Sequence, residues 1–338
     1  MSDHDRDEVH AEEKLDPRKL VAEVGRSVVS AALARAQAAG SGHFESEEKF
    51  TAAQKANILV EALPYIRKFA GTIAVIKYGG SVAVSGDDQS GSVASLASFV
   101  EDVSLLRAVG IKPVVVHGGG PQIGELMARL GKESVFKDGL RVTDKETLEI
   151  AQMVLVGKIN LDIVQAININ GPIAIGLSGA DAGLIRAEAR AEELGFVGEI
   201  VSVDPNIINK LLHEEIIPVI ATIGSDSQGQ AYNINADSVA GAVAEVLGAT
   251  KLIYLTDVPG ILMDAEDLFS LVRSLDTRQL ASMISDGSLR GGMIPKAASC
   301  LKAVRSGVGS AHILDGRVPH ALLLEVFTDQ GTGTMVTM

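Results

Sequence analysis

The chain has 338 residues, 46% of them hydrophobic, and a formal net charge of −13, so it can bury a sizeable core and is a poor match for nucleic acid or an anionic membrane. Its single cysteine, Cys300, excludes an intramolecular disulfide framework and a cysteine-built zinc site, and the acidic first residues lack the form of a secretory signal. No run comes near the ~20 apolar residues of a membrane span, which leaves a reducing cytoplasm as the expected setting.

Residues 1–48 read as an N-terminal extension, charged and partly disordered at first, then helical where Leu20, Val24, Val28, Ala31 and Ala34 recur. Residues 49–70 carry a second amphipathic helix, with Ile58, Leu59, Ala62, Leu63, Ile66 and Phe69 on one side. Pro64 inside it removes one backbone donor and crowds the carbonyl of Val60, which predicts a kink.

Two strand-then-glycine units follow. The segments 73–76 and 114–116 are short, β-branched and apolar on both faces, as strands covered by helices on each side should be. The first runs into Gly79 and Gly80, the second into Gly118, Gly119 and Gly120. Either loop alone could be a tight turn. Paired, they point to phosphate, because consecutive glycine amides form an anion nest and Lys77 adds a positive charge.

The rest alternates. Helices are expected over 96–109, 121–130 and 145–168, strands over 173–177, 198–200 and 217–220, and a hairpin or loop over 137–144 that carries Arg141. The motif YNINAD at 232–237 opens a helix over 238–247. After a break at 248–250 come a strand at 252–255, a helix at 277–285, another opened by GGMIPK at 291–296, a strand at 310–314 and a tail that closes the sheet. This rhythm is that of an α/β protein with a mainly parallel sheet.

Familiar nucleotide and hydrolase signatures are absent: there is no G-x-x-x-x-G-K-[ST], no G-x-G-x-x-G after a strand and no G-x-S-x-G to accompany HGGG. The histidines lack metal-ligand spacing, so no structural metal is expected. What remains is Lys77, Arg141, Asp237 and Lys296 at strand or loop ends. Singly, each fits a surface charge or a helix cap; together, among glycine loops, they fit phosphoryl transfer.

VIKYGG, VVHGGGPQI, GLRVTD, YNINAD, LTDVPGIL, GGMIPK and LDGRVPHALLLE with GTGTM, in this order, resemble N-acetylglutamate kinase of the amino-acid kinase superfamily, over roughly 52–335. The resemblance implies an open αβα sandwich with two lobes: 71–247 for the amino-acid substrate and dimer contact, 248–338 for the nucleotide and an arginine site. It implies ATP, with Mg2+ held mainly by the phosphates, and N-acetyl-L-glutamate as acceptor. Lys77 and Lys296 would serve the transferred phosphoryl group and the leaving side, with Asp237 holding both. Gly118, Gly119, Arg141 and Asn233 would bind the acceptor, Gly79 and Gly80 the phosphoryl oxygens, and Thr256, Asp257, Gly260 and Leu262 the rest of the nucleotide. It further implies inhibition by L-arginine through Tyr65, His312, Glu325 and Gly331, with the 49–70 helix joining three dimers into a hexamer; the PII signalling protein is a possible partner of such enzymes. The chain departs from the family pattern at Ser81-Val82-Ala83, at Ala221-Thr222 and at Met263-Asp264-Ala265-Glu266, where relatives often carry a basic residue. A carrier-linked aminoadipate kinase and a non-catalytic arginine sensor are the competing readings.

Overall fold

The computed structural model describes residues 50–80, 89–264, 267–289, 291–328 and 331–338, with side chains not described at 89–94. The expected N-terminal extension, the Ser81-Val82-Ala83 loop and Ala265-Glu266 fall outside these residues. The chain divides into two compact units, Met1–Asn57 and Ile58–Met338. In the first, Thr51 and Gln54 form a reciprocal cap: Gln54 N donates to Thr51 Oγ1 and Thr51 N to Gln54 Oε1. They open helix α1 (Ala52–Phe69), a single element with Pro64 inside it.

Strand β1 (Ile73–Tyr78) leads to helix α2 (Gln89–Ala108), β2 (Lys112–His117) and helix α3 (Gly120–Arg129). A short hairpin, β3 (Phe136–Lys137) with β4 (Leu140–Arg141), precedes helix α4 (Lys145–Gln152), a π-helical turn (Met153–Asn160) and helix α5 (Leu161–Asn168). Then come β5 (Ala174–Ser178), β6 (Ile185–Ala189), β7 (Val197–Val203), helix α6 (Asn206–His213), β8 (Ile217–Ala221), β9 (Ile223–Ser225), β10 (Ala231–Ile234) and helix α7 (Ala236–Val246). The C-terminal part adds β11 (Lys251–Thr256), β12 (Ser274–Asp276), helices α8 (Thr277–Ser285) and α9 (Met293–Arg305), β13 (Ser310–Asp315), helix α10 (Ala321–Phe327) and β14 (Thr334–Thr337).

One eight-stranded sheet runs β12-β14-β13-β11-β1-β2-β8-β5, parallel except where β14 meets β13. Its two faces are buried in two apolar clusters, Val75, Val114 and Val116 in one and Ile76, Tyr78 and Val115 in the other. Alternate residues of one strand thus enter opposite cores, which is why these strands lack a polar face. In the middle, Tyr78 is in register with His117 on one side and Leu255 on the other. The carboxyl ends of β11, β1 and β2 therefore lie side by side, the position where open α/β sheets bind ligands.

Two features depart from the sequence expectations. Strands β6, β7, β9 and β10 close into a small barrel; IRAEA in β6 alternates burial but is built of weak strand formers, and β9 has three residues. The tail closes the sheet as expected: after 325–327 finish helix α10, β14 joins the sheet between β13 and β12. The run Lys145–Asn168 is, by length and average composition, apolar enough to cross a membrane, contrary to expectation. Lys158 and Asp162 interrupt it as an exposed pair, while Ile150, Leu155, Ile159, Ile163 and Ile167 bury its other side in the core, as in the core helix of a globular domain.

Candidate active site

The centre is assembled from three distant segments. Lys77 is the fifth residue of β1, Asp237 stands in the first turn of α7 and Lys296 in the first turn of α9. Lys77 Nζ approaches Asp237 Oδ1 at 2.9 Å, as an ion pair without aligned hydrogen-bond geometry, and Lys296 Nζ donates to Oδ2 at 3.2 Å. Asn235 makes this possible: its side chain caps α7 by accepting from Asp237 N and Ser238 N, which fixes where the helix begins. The Asp237 carbonyl accepts from Ser299 Oγ and Tyr254 Oη, tying α7 to α9 and β11. Burial alone would raise the Asp237 carboxyl, but the two ammonium groups outweigh it and hold the group below the usual carboxylate range.

The two glycine loops meet beside this triad. A Cβ on Gly80 would come 3.1 Å from Gly119 Cα, and one on Gly118 3.2 Å from Ala236 Cβ at the start of α7; Gln122 Nε2 donates to the Gly80 carbonyl. On Gly119 a Cβ would overlap the Ile159 side chain from the π-helical turn. Gly119 is therefore required by close approach, and a side chain at Gly80 or Gly118 would crowd its neighbours. Helix α3 starts at this loop with Pro121 in its first turn and no side-chain cap, leaving its first N–H groups and positive dipole end to an anion.

A cleft of about 580 Å³ joins these parts, lined by Lys77, Gly80, Gly118 to Gly120, Arg141, Asn233, Asp237 and Lys296, with Thr222 and Phe136 also on its wall. It holds three cations to one carboxylate, in a chain that is acidic overall. Arg141 sits 4.7 Å from the Phe136 ring centre; Nη2 donates to the Gly120 carbonyl at 2.7 Å and Nη1 to Ser134 Oγ and the Met127 sulfur. Asn233 Nδ2 donates to Thr143 Oγ1.

Gly79 is buried at the end of β1. Thr256, Asp257, Gly260 and Leu262 do not line this cleft. Thr256 ends β11 and the other three follow it, at the carboxyl edge of the same sheet: Thr256 is buried and donates to Asp257, Leu262 bridges Leu271, and Gly260 (φ +148°) leaves no room for a side chain against Thr334.

His312 and Glu325 are both buried, and His312 Nδ1 lies 2.6 Å from Glu325 Oε1. Burial holds His312 below its ordinary pKa. Gly331 (φ +55°) packs so that a Cβ would come 2.8 Å from Glu325 Oε2. Tyr65 packs, partly buried, against the core. Sequence reasoning sought a basic residue after VPGIL and missed Lys251, whose Nζ lies 3.2 Å from His312 Nε2 and 4.9 Å from the Phe69 ring centre. As the first residue of a strand it carries no sequence mark of burial. Among the described residues no three His, Cys, Asp or Glu side chains gather as a metal site.

Residues 72–315 match the family model for the amino acid kinase family. The acetylglutamate kinase of Heliobacterium modesticaldum is 50% identical over 297 residues, covering 84% of this chain and 98% of its own. That of Methanothermobacter thermautotrophicus is 51% identical over 295 residues, covering 83% and 98%. Among solved structures, N-acetylglutamate synthase from Neisseria gonorrhoeae, complexed with coenzyme A and N-acetyl-glutamate, superposes with a TM-score of 0.73 at 25% identity; the match covers 84% of this chain and 63% of the synthase.

Proposed function

The chain belongs to the amino acid kinase family and, within it, to the acetylglutamate kinases, and from that premise we propose that the cleft transfers the γ-phosphoryl group of ATP to the side-chain carboxylate of N-acetyl-L-glutamate, a step of arginine biosynthesis. The observation that carries this reading is the convergence of Lys77 and Lys296 on one buried carboxylate within a glycine-lined cleft.

An acceptor carboxylate has an ordinary pKa near 4 and is ionised at neutral pH, so no general base is needed. The obstacle is bringing an anion to a polyphosphate. Lys77 lies at the glycine loops and serves the migrating phosphoryl group; Lys296, across Asp237, serves the oxygen that takes up charge as the β–γ bond breaks. Asp237 keeps both ammonium groups in place before ATP arrives, and the amides of Gly79, Gly80, Gly118 and Gly119 meet phosphoryl and acceptor oxygens without side chains between. Catalysis is then positioning with electrostatic stabilisation. Asp237, bound by two lysines, is a poor metal ligand; magnesium enters with ATP as part of the substrate. Thr256, Asp257, Gly260 and Leu262 take the nucleotide where β11 ends next to β1, so that 71–247 serves the acceptor and 248–338 the nucleotide.

Arg141 pairs with the acceptor's α-carboxylate through its guanidinium fork, beside Asn233. Arg141→Ala is expected to raise KM for the acceptor about 10–100-fold, the worth of one charged hydrogen-bond pair, and to lower kcat less; steady-state kinetics with each substrate varied reads this, and the reverse pattern contradicts the assignment.

Regulation by L-arginine is part of the proposal. It is supported by the buried Lys251, His312 and Glu325 cluster close to the last turn of α1, and by Ile58, Leu59 and Leu63, exposed on that helix and suited to joining dimers into a hexamer. One assay tests activity and regulation together: protein, ATP, magnesium, N-acetyl-L-glutamate and hydroxylamine. A hydroxamate forms from an acyl phosphate and not from a phosphate ester. N-acetyl-L-glutamate should outperform carrier-linked aminoadipate, and millimolar arginine should suppress the signal in a hexamer; no hydroxamate from any acid overturns the kinase reading, and arginine-insensitive activity in a plain dimer overturns the regulatory one.

A further inference from the structure

Behind the cleft lies a second polar pair that the charge arrangement does not use. His117 ends β2, fully buried, immediately before the three glycines. Its Nδ1 lies 3.2 Å from the Gly118 carbonyl and its Nε2 3.1 Å from Asn160 Nδ2. Asn160 is the last residue of the π-helical turn, and its Nδ2 also lies 2.9 Å from the Val219 carbonyl of β8. From the other side it presses on Gly176, where any Cβ would overlap Asn160 Oδ1.

Donor and acceptor types dictate where the protons sit. A carbonyl can only accept, so the Asn160 atom facing Val219 is the amide nitrogen. That NH2 group can only donate, so the His117 nitrogen it also faces, Nε2, is unprotonated. The single proton of the neutral ring is therefore on Nδ1, donated to the Gly118 carbonyl. In a trans peptide the C=O and the next N–H point in opposite directions; a Gly118 carbonyl held toward the buried imidazole turns the Gly119 N–H the other way, and Gly119 lines the cleft. We propose that Asn160 selects the Nδ1–H tautomer of His117 and through it sets the Gly118–Gly119 peptide, making the two side chains positioning residues for the amides that receive the acceptor and the phosphoryl group. The catalytic half of this rests on the phosphoryl-transfer reading; the tautomer does not.

The surroundings keep the ring neutral. Burial lowers the His117 pKa to about 4. Strand β1 brings Tyr78, a phenol pushed up to about 12 by burial, and Lys77, tied to Asp237 of α7. Helix α2 brings Glu101 and Asp102, both paired with His320, and the π-helical turn brings Lys158, paired with Asp162. Glu245 stands near the opposite end of α7, and β8 carries no titratable side chain.

Asn160→Asp inverts the donor. Its carboxylate accepts from Nε2 and raises the pKa of the ring. The imidazolium still offers Nδ1–H to Gly118, but on losing a proton the neutral ring keeps Nε2–H and turns an Nδ1 lone pair on the carbonyl, displacing the loop. Misplacement of this kind costs about 10²-fold. The variant's kcat should therefore lie about 100-fold below the parent at pH 8 and recover at least tenfold as pH falls through the raised pKa, a titration the parent lacks. On the unmodified protein, 15N NMR of labelled histidine should show, between pH 6 and 8, a neutral ring protonated at Nδ1 whose signals vanish in His117→Gln; the buried His312, with Nδ1 facing Glu325 and Nε2 facing Lys251, gives a second such ring that His117→Gln leaves in place. His117 itself carrying its proton on Nε2 in the parent, or a variant whose kcat–pH profile parallels the parent's, overturns the proposal. The NMR result stands without turnover, so a protein that forms no acyl phosphate yet shows Nδ1–H sinks the kinase reading and leaves the tautomer intact.

Discussion

Lys77→Ala and Lys296→Ala should each cost roughly 10³-fold in kcat, the scale of losing one preorganised charge at a phosphoryl transition state, while unfolding close to the parent's temperature. The reason folding survives is the geometry of the triad: with either lysine gone, Asp237 still holds an ion pair with the other at 2.9 or 3.2 Å. Asp237→Ala is different in kind. It leaves two buried or half-buried ammonium groups facing each other with no counter-charge, and breaking a buried pair from one side costs about 3–5 kcal/mol. Activity and melting temperature should fall together in that variant and separately in the lysine variants.

The same carboxylate gives a pH signature. Its folded pKa is depressed, so its contribution to stability is present above the ordinary carboxylate pKa of about 4 and is lost as pH falls through the folded value. Removing Asp237 should flatten that acid limb. A lysine variant with near-parental kcat would strip that residue of its role.

What could be read in the sequence was what leaves a local mark. The strands 73–76 and 114–116 announce themselves by β-branched residues on both faces, and the glycines after them by what they lack. The members of the Lys–Asp–Lys triad stood out at strand and loop ends, but their pairing followed only from motif order, since no local pattern relates Lys77 to Asp237 or Lys296. The small barrel stayed hidden because Ala187, Glu188 and Gly224 are poor strand formers held by neighbours rather than by propensity. The π-helical turn was equally invisible: one extra residue per turn changes no composition, yet it aims Leu155 and Ile159 at Gly119 and Asn160 at His117. Lys251 was missed because burial of a lysine depends on partners, His312 and Phe69, that lie elsewhere in the chain.

Gly195→Ala should be damaging for a single methyl outside the charged centre, because conformation and collision oppose it together. Gly195 has φ +65° and ψ −125°, a backbone region essentially reserved for glycine, where another residue costs about 1–3 kcal/mol. Its Cβ would also overlap the carbonyl oxygen of Thr143, in a seam closed by Thr143 N to Leu194 O at 3.0 Å and Phe196 N to Thr143 O at 2.7 Å. Backbone cannot rotate aside as a side chain can. Thr143 is also the link between two residues of the proposed acceptor pocket, since its Oγ1 donates to the Arg141 carbonyl and accepts from Asn233 Nδ2. Pushing Thr143 outward should therefore lower Tm by roughly 5–10 °C and raise KM for the acceptor about tenfold, with KM for ATP unchanged. Gly131→Ala separates strain from collision: Gly131 also has a positive φ, +75°, but open space where its Cβ would go, so it should lose only the ~2–4 °C of left-handed strain and keep both KM values. If the two variants melt together with normal acceptor KM, the Thr143 seam does not hold the Arg141 arm in place.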